Sequence, residues 1–265
     1  MNKLIFYCEI IGCRKIILDK KKFWFINNKI NITELNITIE VKDKKFKKKD
    51  SLYYNSSLIF YTFYRIRPEI RINFIRNEII KNLPKVKTCK EYLYIHIRSG
   101  DIFNKKPCQY YAQPPLCFYK IILNNYKFER IYLLTEKRNN PVINKLSNIY
   151  PNIIFTNNSI KCDISYLINA YNNVASISSF LISIIQLNNN LLFLWDYNIY
   201  HISEKNIHYH YDLYKFPYKN ITIFRMESSN NYRKTMFFWK NNRKQRKLMI
   251  KEKCSFYFSI INKYI

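Results

Sequence analysis

Between residues 91 and 200, short runs of β-branched and aromatic residues alternate with stretches of helical apolar spacing. No other feature of the sequence narrows the fold as far. The runs YLYIHI (92–97), RIYLLTE (130–136), NIIFTN (152–157) and LLFLWDY (191–197) read as strands. Three helices are expected between them. The stretch 114–126 opens on two prolines, 140–150 opens on Asn140 and Pro141, and 163–175 opens on Asp163 as its N-cap. A turn, SISS (176–179), leads to a further helix over 180–188. Strand–helix–strand alternation at this spacing implies an α/β fold with a parallel sheet and helices on both faces.

The flanks are less regular. Residues 1–85 carry β-rich runs at 14–18, 22–26 and 36–41, a basic loop at 42–50 and an expected helix over 68–83. They read as a short N-terminal lobe, separate from the alternating region, 86–200. The segment 201–265, with a strand near 220–226 and a helical stretch over 232–254, is expected to pack back on the lobes.

Within this frame one glycine stands out. The chain has 2 Gly in 265 residues, where average usage near 7% gives about nineteen. Gly100 sits in YIHIRSGD, directly behind the first strand of the alternating region. Strand alternation puts His96 and Arg98 on one face, at the carboxyl end where open parallel sheets bind ligands. Arg98 is a fixed forked cation suited to phosphate, and Gly100 allows a sharp turn close to a ligand. Asp101 is placed to orient Arg98 or to cap the loop; the competing reading of the whole stretch is a hairpin-like turn with a surface ion pair. Further along, Ser178, Ser179 and Phe180 precede an apolar helix, where hydroxyls either cap the helix or help to hold an anion.

The charge of +27 raises the question of a polyanion partner. The lysines are spread along the chain, as AT-rich codons would spread them, so nucleic acid is the disfavoured account. Seven cysteines occur without a CxxC pattern or a Cys/His cluster, so no metal site is expected. Cys108 and Cys117 are the first pair to test for a disulfide. HYHYDLY (208–214) reads as a solvated strand or loop. The N-terminus makes a poor signal peptide, and no run reaches the length of a membrane span.

HIRSGD, followed downstream by Asp163 and Ser178-Ser179-Phe180, resembles the motifs of the GDP-fucose-dependent fucosyltransferase superfamily over about residues 90–200. The block YYAQPPLCFYKIIL (110–123) adds to the likeness. The resemblance implies a GT-B-like fold, with 86–200 as a Rossmann-type nucleotide-binding lobe and 1–85 as a short or truncated lobe on the acceptor side. It also implies inverting sugar transfer from GDP-fucose to a glycan or protein acceptor, without a metal or other cofactor. By this likeness Arg98 holds the β-phosphate and stabilises the leaving group, His96 contacts the nucleotide or its phosphates, and Asp163 accepts from guanine or lies near it. Ser178, Ser179 and Phe180 line the phosphate and ribose. A Golgi or endoplasmic reticulum lumen is the implied location, with a membrane involved only through an anchor outside this chain. Many members carry a second arginine where this chain has Ser99. That departure, and the short first lobe, keep a nucleotide-binding homologue without activity as the alternative, next to a basic polyanion-binding protein. Asp101, Glu69 and Glu136 are the carboxylates considered for a general base.

Overall fold

The computed structural model describes residues 76–77, 79–109, 111–156, 159–185, 187–199, 221–255 and 257–263, and the backbone of three strands before them. The 22–26 run, the 42–50 loop, most of the expected 68–83 helix with Glu69, and HYHYDLY lie outside the described residues. The chain divides into two compact units, 1–84 and 85–265.

In the first unit, β1 (Lys15–Asp19), β2 (Lys29–Ile32) and β3 (Ile37–Lys42) form a sheet in the order β1-β3-β2. β3 pairs parallel with β1 and antiparallel with β2.

The second unit is built on seven strands. They are β4 (Tyr92–His96), β5 (Arg130–Leu134), β6 (Ile153–Phe155), β7 (Asn172–Val174), β8 (Phe193–Asn198), β9 (Ile221–Glu227) and β10 (Ser259–Lys263). Their order is β10-β9-β8-β7-β4-β5-β6, and every pairing is parallel except β9 with β10. The chain runs outward from β4 to β6, crosses back to β7 on the other side of β4, and runs outward again. The reversal of winding between β4 and β7 is the topological switch point of a doubly wound, Rossmann-like sheet.

Among the described residues six α-helices accompany these strands: α1 (Leu116–Asn125), α2 (Pro141–Ile149), α3 (Ile160–Asn169), α4 (Ser179–Ile185), α5 (Asn230–Met236) and α6 (Arg243–Lys251). β4 is buried along its whole length, as a strand covered on both faces must be. On one face Leu93, Ile95 and Ile97 join the core with Phe118 and Ile122 of α1, Val142 and Leu146 of α2, and Met249 of α6. On the other, Tyr166 of α3 stacks on Tyr94 and Tyr132, with ring centroids 5.5 and 5.6 Å away.

Four expectations need correction. The stretch 163–175 is not one helix: α3 ends at Asn169, and Asn172–Val174 is a central strand. Asp163 lies in the first turn of α3 and is not its cap; Ser159 holds that position. The stretch 232–254 is broken into α5 and α6 by a turn in which Asn241 adopts φ 55°. Finally, Cys117 is bonded to Cys254, while Cys108 is free and exposed. That bond ties α1 to the chain just beyond α6, two helices already in contact.

Candidate active site

The carboxyl ends of β4 and β7 meet at the switch point, and two long-range hydrogen bonds join them. Ser176, two residues past β7, places its Oγ 2.8 Å from His96 Nδ1. The same Oγ accepts from the Arg98 backbone N–H at 3.1 Å. A hydroxyl has one hydrogen, and the Arg98 contact does not use it. With that hydrogen directed at His96 Nδ1, the imidazole carries its own on Nε2; the second lone pair of the hydroxyl equally accommodates an Nδ1–H donor. His96 is 8% exposed, and Nε2 bonds to no described residue. Burial, and then the Arg98 charge, push the imidazolium pKa down from 6.5 to about 3. At neutral pH His96 is therefore an uncharged N–H donor.

The loop after β4 is held as firmly as the strand. Asn140 caps α2 through its Oδ1, 3.0 Å from the Val142 N–H, while its Nδ2 donates to the Arg98 carbonyl at 2.9 Å. Asn139 clamps Gly100 from both sides, accepting from its N–H at 2.8 Å and donating to its carbonyl at 3.1 Å. Ser99 is 2% exposed and belongs to a closed ring. Its Oγ accepts from the Lys137 N–H at 2.8 Å and lies 2.8 Å from Thr135 Oγ1, which donates to the Lys137 carbonyl at 2.9 Å.

These clamps account for the glycine. Gly100 has φ +69°, and a Cβ there would run into the Glu136 carboxylate. The left-handed backbone favours glycine, and any Cβ would also require the flexible Glu136 side chain to move. A 3-10 turn over Gly100–Phe103 follows.

Arg98 emerges from this loop over the Tyr111 ring, 5.1 Å from its centroid, with its NH2 group 2.9 Å from both oxygens of the exposed Asp101. Its Nε is buried and makes no hydrogen bond. The guanidinium is held from below and on one side, and retains donor capacity toward the cavity it lines.

That cavity, about 320 Å³, is lined by His96, Arg98, Thr135, Glu136, Asp163 and Phe180 among others. Phe180 lies 6.0 Å from the His96 ring, centroid to centroid. Asp163 accepts from the Thr156 hydroxyl at 3.1 Å, yet burial outweighs that bond and pushes its carboxyl up from 3.8 to about 6. Glu136 is exposed at the rim. The lining is chemically divided: Arg98 donates, as His96 does in its Nε2–H form, whereas the carboxylates of Asp163 and Glu136 accept.

His96, Arg98, Gly100, Asp163 and Phe180 are thus brought together, and Asp101 supports Arg98 from outside the cavity. Ser178 is fully buried and serves as the cap of α4, accepting from the Leu181 N–H at 3.4 Å. The backbone of Ser179 opens α4; its side chain, like Tyr110, lies outside the described residues. Ser176, Thr135 and Asn139 had no signal in the sequence, because their roles come from residues 36 to 80 positions away. Among the described residues no three His, Cys, Asp or Glu side chains gather as a metal centre, and no helix is long and apolar enough to cross a membrane.

Fold and site together define a class: an α/β protein with a cavity lined by charged and polar side chains at the switch point of a mostly parallel sheet. Compared with protein-family models, curated proteins and solved structures, the chain matches none.

Proposed function

We propose that this cavity binds a sugar nucleotide and that the protein is a glycosyltransferase of GT-B type, using GDP-fucose as donor. The observation that carries the reading is the divided lining at the carboxyl ends of β4 and β7. A nucleoside diphosphate is anionic at one end and, when its base is guanine, offers N–H donors at the other. Arg98 and the His96 N–H suit the diphosphate. Asp163 suits the base. The motif resemblance around residues 90–200 supplies the choice of fucose.

In the transfer an acceptor hydroxyl attacks the anomeric carbon from the side opposite the nucleotide. The bond from that carbon to the β-phosphate oxygen breaks, and its electron pair stays on the phosphate. Arg98 and His96 Nε2–H stabilise the charge that develops there, as preorganised donors do. Glu136, at the exposed rim, takes the acceptor's proton. The acceptor is a glycan or a protein. The Cys117–Cys254 bond supports a lumenal, oxidising setting.

A second reading draws on Ser99. The position that carries a second arginine in many superfamily members is here a buried serine knit into the loop after β5. A protein that binds the nucleotide without transferring the sugar is consistent with that loss of one cation.

Calorimetry with GDP, UDP and GDP-fucose tests both readings. Selective GDP binding that weakens about tenfold or more in Arg98→Ala, as removal of a charge-assisted contact should cause, supports a nucleotide site. No GDP binding, or an unchanged affinity in the variant, removes it. Release of GDP from GDP-fucose then separates a transferase from a binder.

A further inference from the structure

We propose that the turn between α5 and α6 carries a second binding site, for an anionic saccharide. It does not depend on the nucleotide reading: the two cavities share no lining residue. This second cavity, about 460 Å³, lies between residues 105–109 and 238–240 and falls in the size range of small-ligand sites.

The turn is built with unusual care for a surface connection. Gln245 is 3% exposed, and its side-chain amide donates to the Thr235 and Phe238 carbonyls at 3.0 and 2.8 Å. The same amide accepts from the Lys240 N–H at 2.8 Å. Trp239 is 1% exposed and donates from Nε1 to the Ile102 carbonyl at 2.6 Å, while its N–H donates to the Gln109 carbonyl at 2.9 Å. Asn241 accepts a left-handed backbone at φ 55° and donates to the Asn104 carbonyl at 3.1 Å. These bonds weld the turn to the 102–109 segment and fix what projects from it.

What projects is one aromatic ring among cations. Phe238 is 47% exposed at a position held on both sides. Lys105 and Lys240 flank it, and Gln109 adds an amide. Beyond them α6 presents Arg243, Lys244 and Lys247 to solvent, and none of its nine residues is acidic. An exposed ring offers a flat apolar platform for the C–H face of a sugar. The ammonium groups pair with carboxylate or sulfate substituents around it. Single-stranded nucleic acid is served instead by successive aromatics along a groove, and among the described residues Phe238 is the one exposed ring lining this cavity. The ligand class is therefore a saccharide bearing uronate or sulfate groups.

The test is titration of the full chain with four eight-unit probes: a sulfated heparin-type oligosaccharide, an oligogalacturonate, uncharged maltooctaose and oligo-dT. At least one anionic saccharide binds and maltooctaose does not; which one binds separates sulfate from carboxylate. Phe238→Ala and the double variant Lys105→Gln, Lys240→Gln each weaken that binding about tenfold, the scale of one lost hot-spot contact. Lys127→Gln with Lys145→Gln removes the same charge elsewhere and leaves affinity within about twofold. Unchanged melting temperatures show that the variants fold. The proposal fails if Phe238→Ala binds as tightly as wild type, or if the control pair weakens binding equally, since diffuse charge would then explain the attraction. It also fails if oligo-dT binds more tightly than both anionic saccharides in a Phe238-dependent way.

Discussion

Ser176 and His96, 80 positions apart in the chain, share a hydrogen bond of 2.8 Å at ring nitrogen Nδ1. The Arg98 backbone N–H donates to Ser176 Oγ, which leaves the hydroxyl hydrogen available to Nδ1 and so favours the Nε2–H tautomer. Removing the hydroxyl therefore changes the chemistry presented to the cavity without touching the cavity wall.

In Ser176→Ala the imidazole should populate both tautomers, read from its ring 15N shifts in the absence of any ligand. Ser176→Thr should restore the Nε2–H form. Leaving Nδ1 buried without a partner costs about 1–3 kcal/mol of stability. An alanine variant with unchanged ring shifts would show that the tautomer is set elsewhere.

Gly100→Ala should destabilise the second unit by about 1–2 kcal/mol from the left-handed backbone alone. The Glu136 carboxylate in the path of the new Cβ adds to this. In a Glu136→Ala background the same substitution should cost less, because the two positions are in contact and their effects do not add. Chemical denaturation of the four proteins in the cycle gives the coupling. Strict additivity would mean that Glu136 swings away freely and the backbone alone demands glycine.

Asp163 has opposite consequences for stability and for binding. Its carboxyl is raised from 3.8 to about 6 by burial, so the folded state holds this proton more tightly than the unfolded chain does. The contribution favours folding below about pH 4 and is lost as pH rises through about 6. Asp163→Asn removes that loss. Near pH 7 the variant should melt a few degrees higher, roughly, with a flatter profile between pH 4 and 6. If the carboxylate accepts from a base, the variant also loses GDP affinity, and wild-type affinity falls as pH drops through about 6. A variant that melts lower than wild type at neutral pH would contradict the burial argument.

The Cys117–Cys254 bond closes a loop between positions 137 residues apart. Chain-entropy reasoning assigns about 4–5 kcal/mol to a closure of that length. Cys254→Ser, or reduction of the wild type, should lower the denaturation midpoint strongly, whereas Cys108→Ser should leave it unchanged. Peptide mapping without reductant checks the pairing directly and distinguishes it from Cys108–Cys117.

The parts of the fold that were readable have local causes. Pro114 and Pro115 mark the start of α1, Asn140 and Pro141 mark α2, and the apolar run at β4 announces a strand buried on both sides. β7 was not readable, because two of its three residues are asparagine. Asn172 is tolerated there since its side chain donates to the Lys90 and Tyr92 carbonyls at 2.6 and 2.9 Å, and Asn173 is fully buried without a side-chain partner. Its strand conformation comes from pairing with β4 and β8 on either side. With β7 hidden, the switch point was hidden too. His96, Arg98 and Gly100 could be found from the strand end, but Ser176 could not. The same limit applied to the 237–242 turn, where the interruption of an apparently continuous helix depends on a buried Gln245 and on Trp239 reaching back to Ile102.

The disulfide also sets an order of events. Strands β5 to β9 all lie between its two cysteines. During synthesis Cys117 therefore waits for nearly the whole second unit to be made. At typical elongation rates that delay is on the order of ten seconds. Throughout it the thiol is available to any other cysteine already made, including Cys89 and Cys108, both of which end up unpaired. The native bond can close only after β5 to β9 have been made. An oxidase acting early would trap the wrong partner, and an isomerase acting late would rescue it.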